Sequence, residues 1–177
     1  MDKKLCVLFP GIGYHCDKPL LYYCGKLADR SGYETIKLKY SGFTGQEDAA
    51  GHALKLSEGL LSCVDFQSFS RVVFVGKSIG TAAALAYREK YNIAADCVLL
   101  TPLALTFEHS AKGSIAFHGT ADPWAKTPDI ERLCKEQGVK LFEYPQTNHS
   151  LETGDPQKDI PTIGKVISEI ENGKIFR

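Results

Sequence analysis

The stretch that most constrains the fold runs from Arg71 to Ala84 and reads Arg-Val-Val-Phe-Val-Gly-Lys-Ser-Ile-Gly-Thr-Ala-Ala-Ala. Its first half, β-branched and aromatic, reads as a buried strand, and its alanine-rich second half reads as a helix. Only Gly76-Lys77-Ser78-Ile79-Gly80 remains for the reversal between them. So short a turn forces Ser78 into a strained backbone conformation and leaves its hydroxyl exposed above the sheet. Gly76 and Gly80 fall where a Cβ would collide with the neighbouring strand or helix. The helix beginning near Ile79 also directs unpaired N–H groups and the positive end of its dipole at the serine.

The same alternation of strand and helix runs along the whole chain. Leu5 to Phe9 is a continuous apolar run, as expected of a strand covered on both faces, and it stops at Pro10-Gly11-Ile12-Gly13-Tyr14. Asp17 as N-cap and Pro19 in the first turn open a helix through Leu20, Leu21, Cys24 and Leu27 to about Arg30. Tyr33 to Tyr40 alternates as a strand, Gly42 to Gly45 is a loop, and Gln46 to Val64 is a helical pattern. After the central strand and helix, strands are predicted at Asp96–Leu100, Ser114–His118 and Val139–Tyr144, with helices at Asp129–Gln137 and Ile160–Ile170. Thr101 to Gly113 is irregular and too short to form a lid. About six strands joined by crossovers imply an α/β fold with a doubly wound, mainly parallel sheet and helices on both faces. Function in such sheets gathers at the carboxyl ends of the strands.

Size and charge narrow the classes. A chain of 177 residues, 44% hydrophobic, fits one domain spanning residues 1–177. Twenty-one basic residues balance 21 acidic ones, so no net field draws the chain to nucleic acid or an anionic membrane. No window reaches the roughly 18 apolar residues of a membrane span. The apolar run after Met1-Asp2-Lys3-Lys4 is too short for a signal-peptide core. The six cysteines are scattered without a Cys-x-x-Cys pair, and they read as buried, reduced thiols of a cytoplasmic protein. The histidines and acids show no metal-ligand spacing, so no metal or cofactor is expected.

Three residues at predicted strand ends carry the chemistry. Acyl transfer by serine needs a base within hydrogen-bond reach, an acid to orient that base, and donors for the developing oxyanion. Ser78 follows one strand, Asp122 follows the strand ending at His118, and His149 follows the last strand. Asp96 and Glu108 are competing acids, but neither directly follows a strand. His118 is a rival base, with a packed core histidine as its plainer reading. His15, His52 and His109 read as surface or loop residues.

The chain resembles the α/β-hydrolase superfamily, as a small lidless member. The likeness is carried by Phe9-Pro10-Gly11-Ile12-Gly13, Gly76-Lys77-Ser78-Ile79-Gly80, His118-Gly119-Thr120-Ala121-Asp122-Pro123-Trp124 and Asn148-His149-Ser150-Leu151-Glu152, and it covers Leu5 to Ile170. Two departures stand out: the family's first two strands have no counterpart, and Pro10-Gly11 replaces the usual His-Gly pair. The resemblance implies Ser78 as nucleophile on a nucleophile elbow, His149 as general base and acid, and Asp122 as the orienting carboxylate. It implies the N–H groups of Ile79 and Ile12 as the oxyanion hole. Gly11, Gly13 and Tyr14, on the loop after the first strand, are candidate substrate-site residues, and Trp124 has two readings, a pocket wall or a core residue. Phe43 is a further candidate wall, and Glu152 reads as an anchor of the His149 loop. Lys77 has two readings, a partner for a nearby carboxylate or a binder of an anionic substrate. The implied activity is hydrolysis of small-molecule carboxylic esters or thioesters. The alternative is a binding or scaffold protein that keeps the fold without catalysis.

Overall fold

A computed structural model describes residues 2–43 and 48–177. Its six strands are β1 (Lys4–Phe9), β2 (Glu34–Lys37), β3 (Arg71–Lys77), β4 (Ala95–Leu100), β5 (Ile115–Gly119) and β6 (Lys140–Tyr144). The helices are α1 (Pro19–Arg30), α2 (Ala49–Leu61), α3 (Ile79–Lys90), α4 (Thr127–Gln137) and α5 (Pro156–Asn172). Two short 3-10 turns, Phe66–Ser68 and Ala104–Glu108, complete the described elements. Every strand pair is parallel, in the order β2-β1-β3-β4-β5-β6.

Strand alternation divides the core into two layers. Leu5, Val7, Phe9, Val72, Phe74, Cys97 and Leu99 face α2, α3 and α4. Cys6, Leu8, Val73, Val75, Val98, Leu100 and Phe117 face α1 and α5. With both faces covered, the central strands are apolar throughout, which is why they read as unbroken hydrophobic runs. No helix among the described residues is long and apolar enough to cross a membrane.

The strand order sets where a site can form. From β1 the chain goes outward to β2, then returns across β1 to β3, so the connections leaving β1 and β3 part to opposite faces. A crevice opens between them at the carboxyl ends of the strands. Phe9 and Gly76 are register partners at that edge, so the turn after β1 and the turn after β3 meet there.

Several element boundaries differ from the sequence expectation. The second strand is shorter than Tyr33–Tyr40, because Tyr33 still belongs to the turn around Gly32, where its N–H donates to Ala28. The last helix starts at Pro156 instead of Ile160: Asp155 caps it through the Gln157 N–H, but its first turn is polar and shows no apolar period. Helix α4 likewise starts two residues before Asp129, with Pro128 in its first turn. The expected N-cap of α1, Asp17, instead binds Lys37 at 2.8 Å, and the Tyr14 hydroxyl accepts the Leu20 N–H of the first turn. The expected helix start at Gln46, and Thr44 and Gly45 of the expected loop, lie outside the described residues. All six cysteines are free; five are buried as expected, while Cys63 is exposed.

Gly80 lets α3 pack closely against the end of β1. A Cβ there would overlap the backbone carbonyls of Phe9 and Pro10. A glycine in a helix ordinarily costs up to about 1 kcal/mol against alanine, so Gly80→Ala would stabilise a free helix. Here the collision with unyielding backbone reverses the sign. Gly80→Ala is expected to destabilise by about 3 kcal/mol, lowering Tm by roughly 6–12 °C for a chain of this size. Thermal unfolding followed by circular dichroism measures this; an unchanged or raised Tm would show that β1 and α3 can separate.

Candidate active site

The turn at Ser78 is built by main-chain constraints on both sides. Ser78 adopts φ 55° and ψ −125°, outside the regions an L-residue ordinarily occupies. Its N–H donates to the Leu100 carbonyl at 2.9 Å, and its carbonyl accepts from the Thr81 N–H at 2.9 Å and the Thr81 hydroxyl at 2.6 Å. Thr81 in turn contacts the Thr106 hydroxyl at 2.6 Å. A Cβ on Gly76 would come within 2.6 Å of Thr81 Cα. The strain is therefore held by the sheet, by α3 and by the 3-10 turn at Ala104–Glu108.

Two loops bring Asp122 and His149 to the same edge. Gly119 and Tyr144 are register partners at the ends of β5 and β6. Beyond them, the Thr120 N–H donates to Tyr144 and the Ala121 N–H donates to Thr147. A Cβ on Gly119 would run into the backbone oxygens of Thr147 and Asn148, so this glycine lets the loop after β6 lie against β5. Asn148 folds that loop: its side-chain oxygen accepts from Ser150 N–H at 2.7 Å and Glu152 N–H at 3.2 Å. The backbone of Glu152 completes it by accepting from the Asn148 N–H at 2.8 Å. Sequence reasoning passed over Thr81, Thr106, Gly119 and Asn148 as site-building residues. The Gly and Asn beside the candidate acid and base were the available signal.

The three side chains meet in one line. His149 Nε2 is 2.7 Å from Ser78 Oγ, and His149 Nδ1 is 2.6 Å from Asp122 Oδ2. Asp122 Oδ1 accepts the Trp124 N–H at 2.8 Å. The Asp122 side chain is fully buried, whereas 19% of the His149 side chain remains exposed. Burial works against the charged form of Asp122. The hydrogen bonds from His149 and Trp124, and the charges of His149 and His118, outweigh it and hold the carboxyl below its ordinary pKa. An ionised Asp122 only accepts hydrogen bonds, so the His149 proton sits on Nδ1 and Nε2 presents its lone pair to the serine.

The remaining candidates spread around this line. Gly11 stands against the serine, since a Cβ there would lie 3.2 Å from Ser78 Cβ. Gly11 and Tyr14 exchange backbone hydrogen bonds of 3.1 and 3.3 Å, closing a tight turn over Ile12 and Gly13, where Gly13 has φ +69°. Ile79 is the first residue of α3, so its N–H has no intrahelical acceptor. Ile12 and Trp124 expose their side chains, at 49% and 60%. Tyr14 is buried against α1, and Phe43 packs edge-on to Tyr40 and His52.

Lys77 does not form the close carboxylate pair of its first reading. It is 1% exposed, and among the described residues no carboxylate lies within 4.0 Å of its ammonium. Strand alternation turns it toward the α1 face, where Nζ lies 4.9 Å from the centre of the Tyr14 ring. Of the competing residues, Asp96 is paired with Arg71 at 2.7 Å. His118 is buried beneath the site, with Nε2 2.9 Å from the Thr127 hydroxyl, and burial lowers its pKa.

Comparison with solved structures places the fold in a known architecture. A lidless α/β serine hydrolase from Xanthomonas campestris superposes with a TM-score of 0.63 at 14% identity, covering 97% of this chain and 83% of that one. The esterase Est1E from Butyrivibrio proteoclasticus gives 0.65 at 11% identity, over 96% and 89%. An α/β serine hydrolase homologue from Coxiella burnetii gives 0.66 at 11% identity, over 95% and 85%. The chain has the α/β-hydrolase fold. No family model matches it, and the comparison with curated proteins returned no match. Among the described residues there is no lid: the connection from β4 to β5 holds a single 3-10 turn.

Proposed function

We propose that the protein is a serine hydrolase acting on carboxylic esters or thioesters with small or exposed acyl groups, through a Ser78–His149–Asp122 triad and an acyl-enzyme intermediate. The observation that carries this reading is the unbroken line of contacts, 2.7 Å and 2.6 Å long, joining residues from three different strand ends. Forty-four residues separate Ser78 from Asp122 and 27 more separate Asp122 from His149 along the chain. Local folding alone does not bring them together.

In the first step His149 Nε2 takes the Ser78 proton as Oγ attacks the carbonyl carbon, and Asp122 stabilises the imidazolium that forms. The Ile79 N–H and the Ile12 N–H hold the tetrahedral oxyanion. Preorganised donors of this kind are worth about 3 kcal/mol each in the barrier. The imidazolium then protonates the leaving alcohol or thiol, and the acyl group stays on Ser78. Water attacks the acyl-enzyme with His149 again as base, releasing the acid and restoring the serine. Gly11, lying against Ser78, lets the Ile12 turn approach the reacting carbon. Trp124, two residues after Asp122, and Ile12, in the turn against Ser78, both expose apolar surface. That suits a short acyl group, or an aromatic acyl group of the kind bound by Est1E, which has been solved with ferulic acid.

The test is labelling with a fluorophosphonate probe, followed by peptide mapping and turnover of p-nitrophenyl esters of increasing acyl length. Modification at Ser78, with rates that fall as the acyl chain lengthens, is the expected result. A folded protein that neither labels nor turns over any ester would make the chain a binding protein on a hydrolase scaffold.

A further inference from the structure

The proposed reaction leaves one buried cation beside the nucleophile without a part. Lys77 closes β3, immediately before Ser78, and points to the face opposite α3. Its charged neighbours are Asp122 on the loop after β5 and Glu152 on the loop after β6, both acting at longer range than an ion pair. The titratable groups facing it from the α1 side are Tyr14 and, behind Tyr14, Cys24. Burial pushes both up, the Cys24 thiol to about 12, so both stay neutral. The direct partner of the ammonium is the face of the Tyr14 ring.

Tyr14 is also held at its other ends. Its backbone N–H and carbonyl both bond to Gly11, and its hydroxyl accepts the Leu20 N–H at 3.1 Å. The turn it closes carries Ile12, and Gly11 of that turn lies against both the Lys77 carbonyl and Ser78 Cβ. The ring is thus seated between α1 and Lys77, and the turn is seated between the ring and the nucleophile.

We propose that Lys77 is a positioning residue: its ammonium, seated on the Tyr14 ring, fixes the Gly11–Tyr14 turn so that the Ile12 N–H meets the developing oxyanion on Ser78. The consequence for rate rests on the hydrolase reading; the clamp itself does not. A cation over an aromatic face gains more when water is excluded, as it is here. Burial lowers the Lys77 pKa to about 7, with the charges of Asp122 and Glu152 working in the opposite direction. The ammonium is present below that pH and lost as pH rises through it, so the clamp weakens on the alkaline side.

The experiment compares wild type, Lys77→Met and Lys77→Arg in the hydrolysis of p-nitrophenyl acetate between about pH 6 and about pH 9. Lys77→Met is expected to lower kcat about tenfold on the acid side of neutrality with KM little changed. The gap to wild type should close at alkaline pH, where the wild-type amine is also neutral. Lys77→Arg, charged throughout this range, should keep the rate and lose the alkaline decline. A wild-type to Lys77→Met rate ratio that stays constant with pH overturns the proposal. Backbone amide exchange of Ile12 and Gly13 reads the clamp without substrate and separates the two claims. After correction for intrinsic exchange, protection should fall between the two pH limits in wild type and be low at both in Lys77→Met. If wild type turns over no ester, the hydrolase reading fails and the exchange still decides the clamp; protection indifferent to pH and to Lys77→Met removes it.

Discussion

Ser78→Ala is expected to lower ester turnover about a million-fold, leaving the residual rate that binding and oxyanion donors supply without a nucleophile. The expectation follows from the separation of roles at the elbow. The fold holds residue 78 through its backbone: the N–H to Leu100 and the carbonyl to Thr81 are both main-chain partners that alanine keeps. Alanine meets the positive φ at a cost close to that of serine, so the turn, the sheet edge and the His149 loop stay in place. The hydroxyl, by contrast, has His149 as its side-chain partner, and in the proposed reaction it is the group that attacks the carbonyl. A Tm close to wild type combined with loss of both turnover and fluorophosphonate labelling is therefore the expected pair of measurements. A residual rate within about a hundredfold of wild type would mean that another group attacks the ester. Adding His149→Ala to Ser78→Ala should cost little more, because residues acting as a unit are not additive.

Asp122→Asn is expected to lower kcat about ten-thousand-fold with the fold intact. The mechanism is a change of tautomer. Asp122 accepts two hydrogen bonds, the Trp124 N–H at Oδ1 and the His149 ring proton at Oδ2. Asparagine has one oxygen, and the backbone N–H of Trp124 cannot do without an acceptor there. The amide oxygen goes to Trp124, and the amide NH2 group then faces His149 Nδ1. That nitrogen becomes an acceptor, the ring proton moves to Nε2, and the lone pair that should receive the Ser78 proton is gone. Nitrogen-15 chemical shifts of the His149 ring report the tautomer directly, and ester kinetics report the rate. A variant that keeps the Nδ1 proton and turns over within about tenfold of wild type would remove Asp122 from the proposed triad.

Much of the fold was legible in the residues because it is written in local periods. Buried parallel strands demand unbroken apolar runs, as at Leu5–Phe9 and Val72–Val75, and a parallel pair demands a crossover between its strands. The elbow was legible for the same reason: only a strand running into an alanine-rich helix through two glycines leaves a serine at the tip. Ser78, Asp122 and His149 could be nominated together because each follows a strand, and parallel strands all end at one edge. The boundaries were less legible. Asp17 has the composition and spacing of an N-cap, but Lys37, at the end of β2, holds its carboxylate. The first turn of α5 carries no apolar period because that turn faces solvent.

The sequence by itself determined the alternation of elements, the parallel sheet and the strand ends from which a serine, an acid and a histidine project. These depend on hydrophobic period and on where glycine and proline interrupt it, and both are properties of neighbouring residues. Only the tertiary structure decided that Tyr14 serves as the cap of α1 and the seat of the Lys77 ammonium. It also decided that Gly119 makes room for the His149 loop, and that Thr106 braces Thr81 behind the elbow. Each of these is a meeting of groups far apart along the chain, where burial removes the water that would otherwise satisfy a charge or a donor. Which partner replaces that water is a matter of distance across the sheet edge, and no local pattern encodes it.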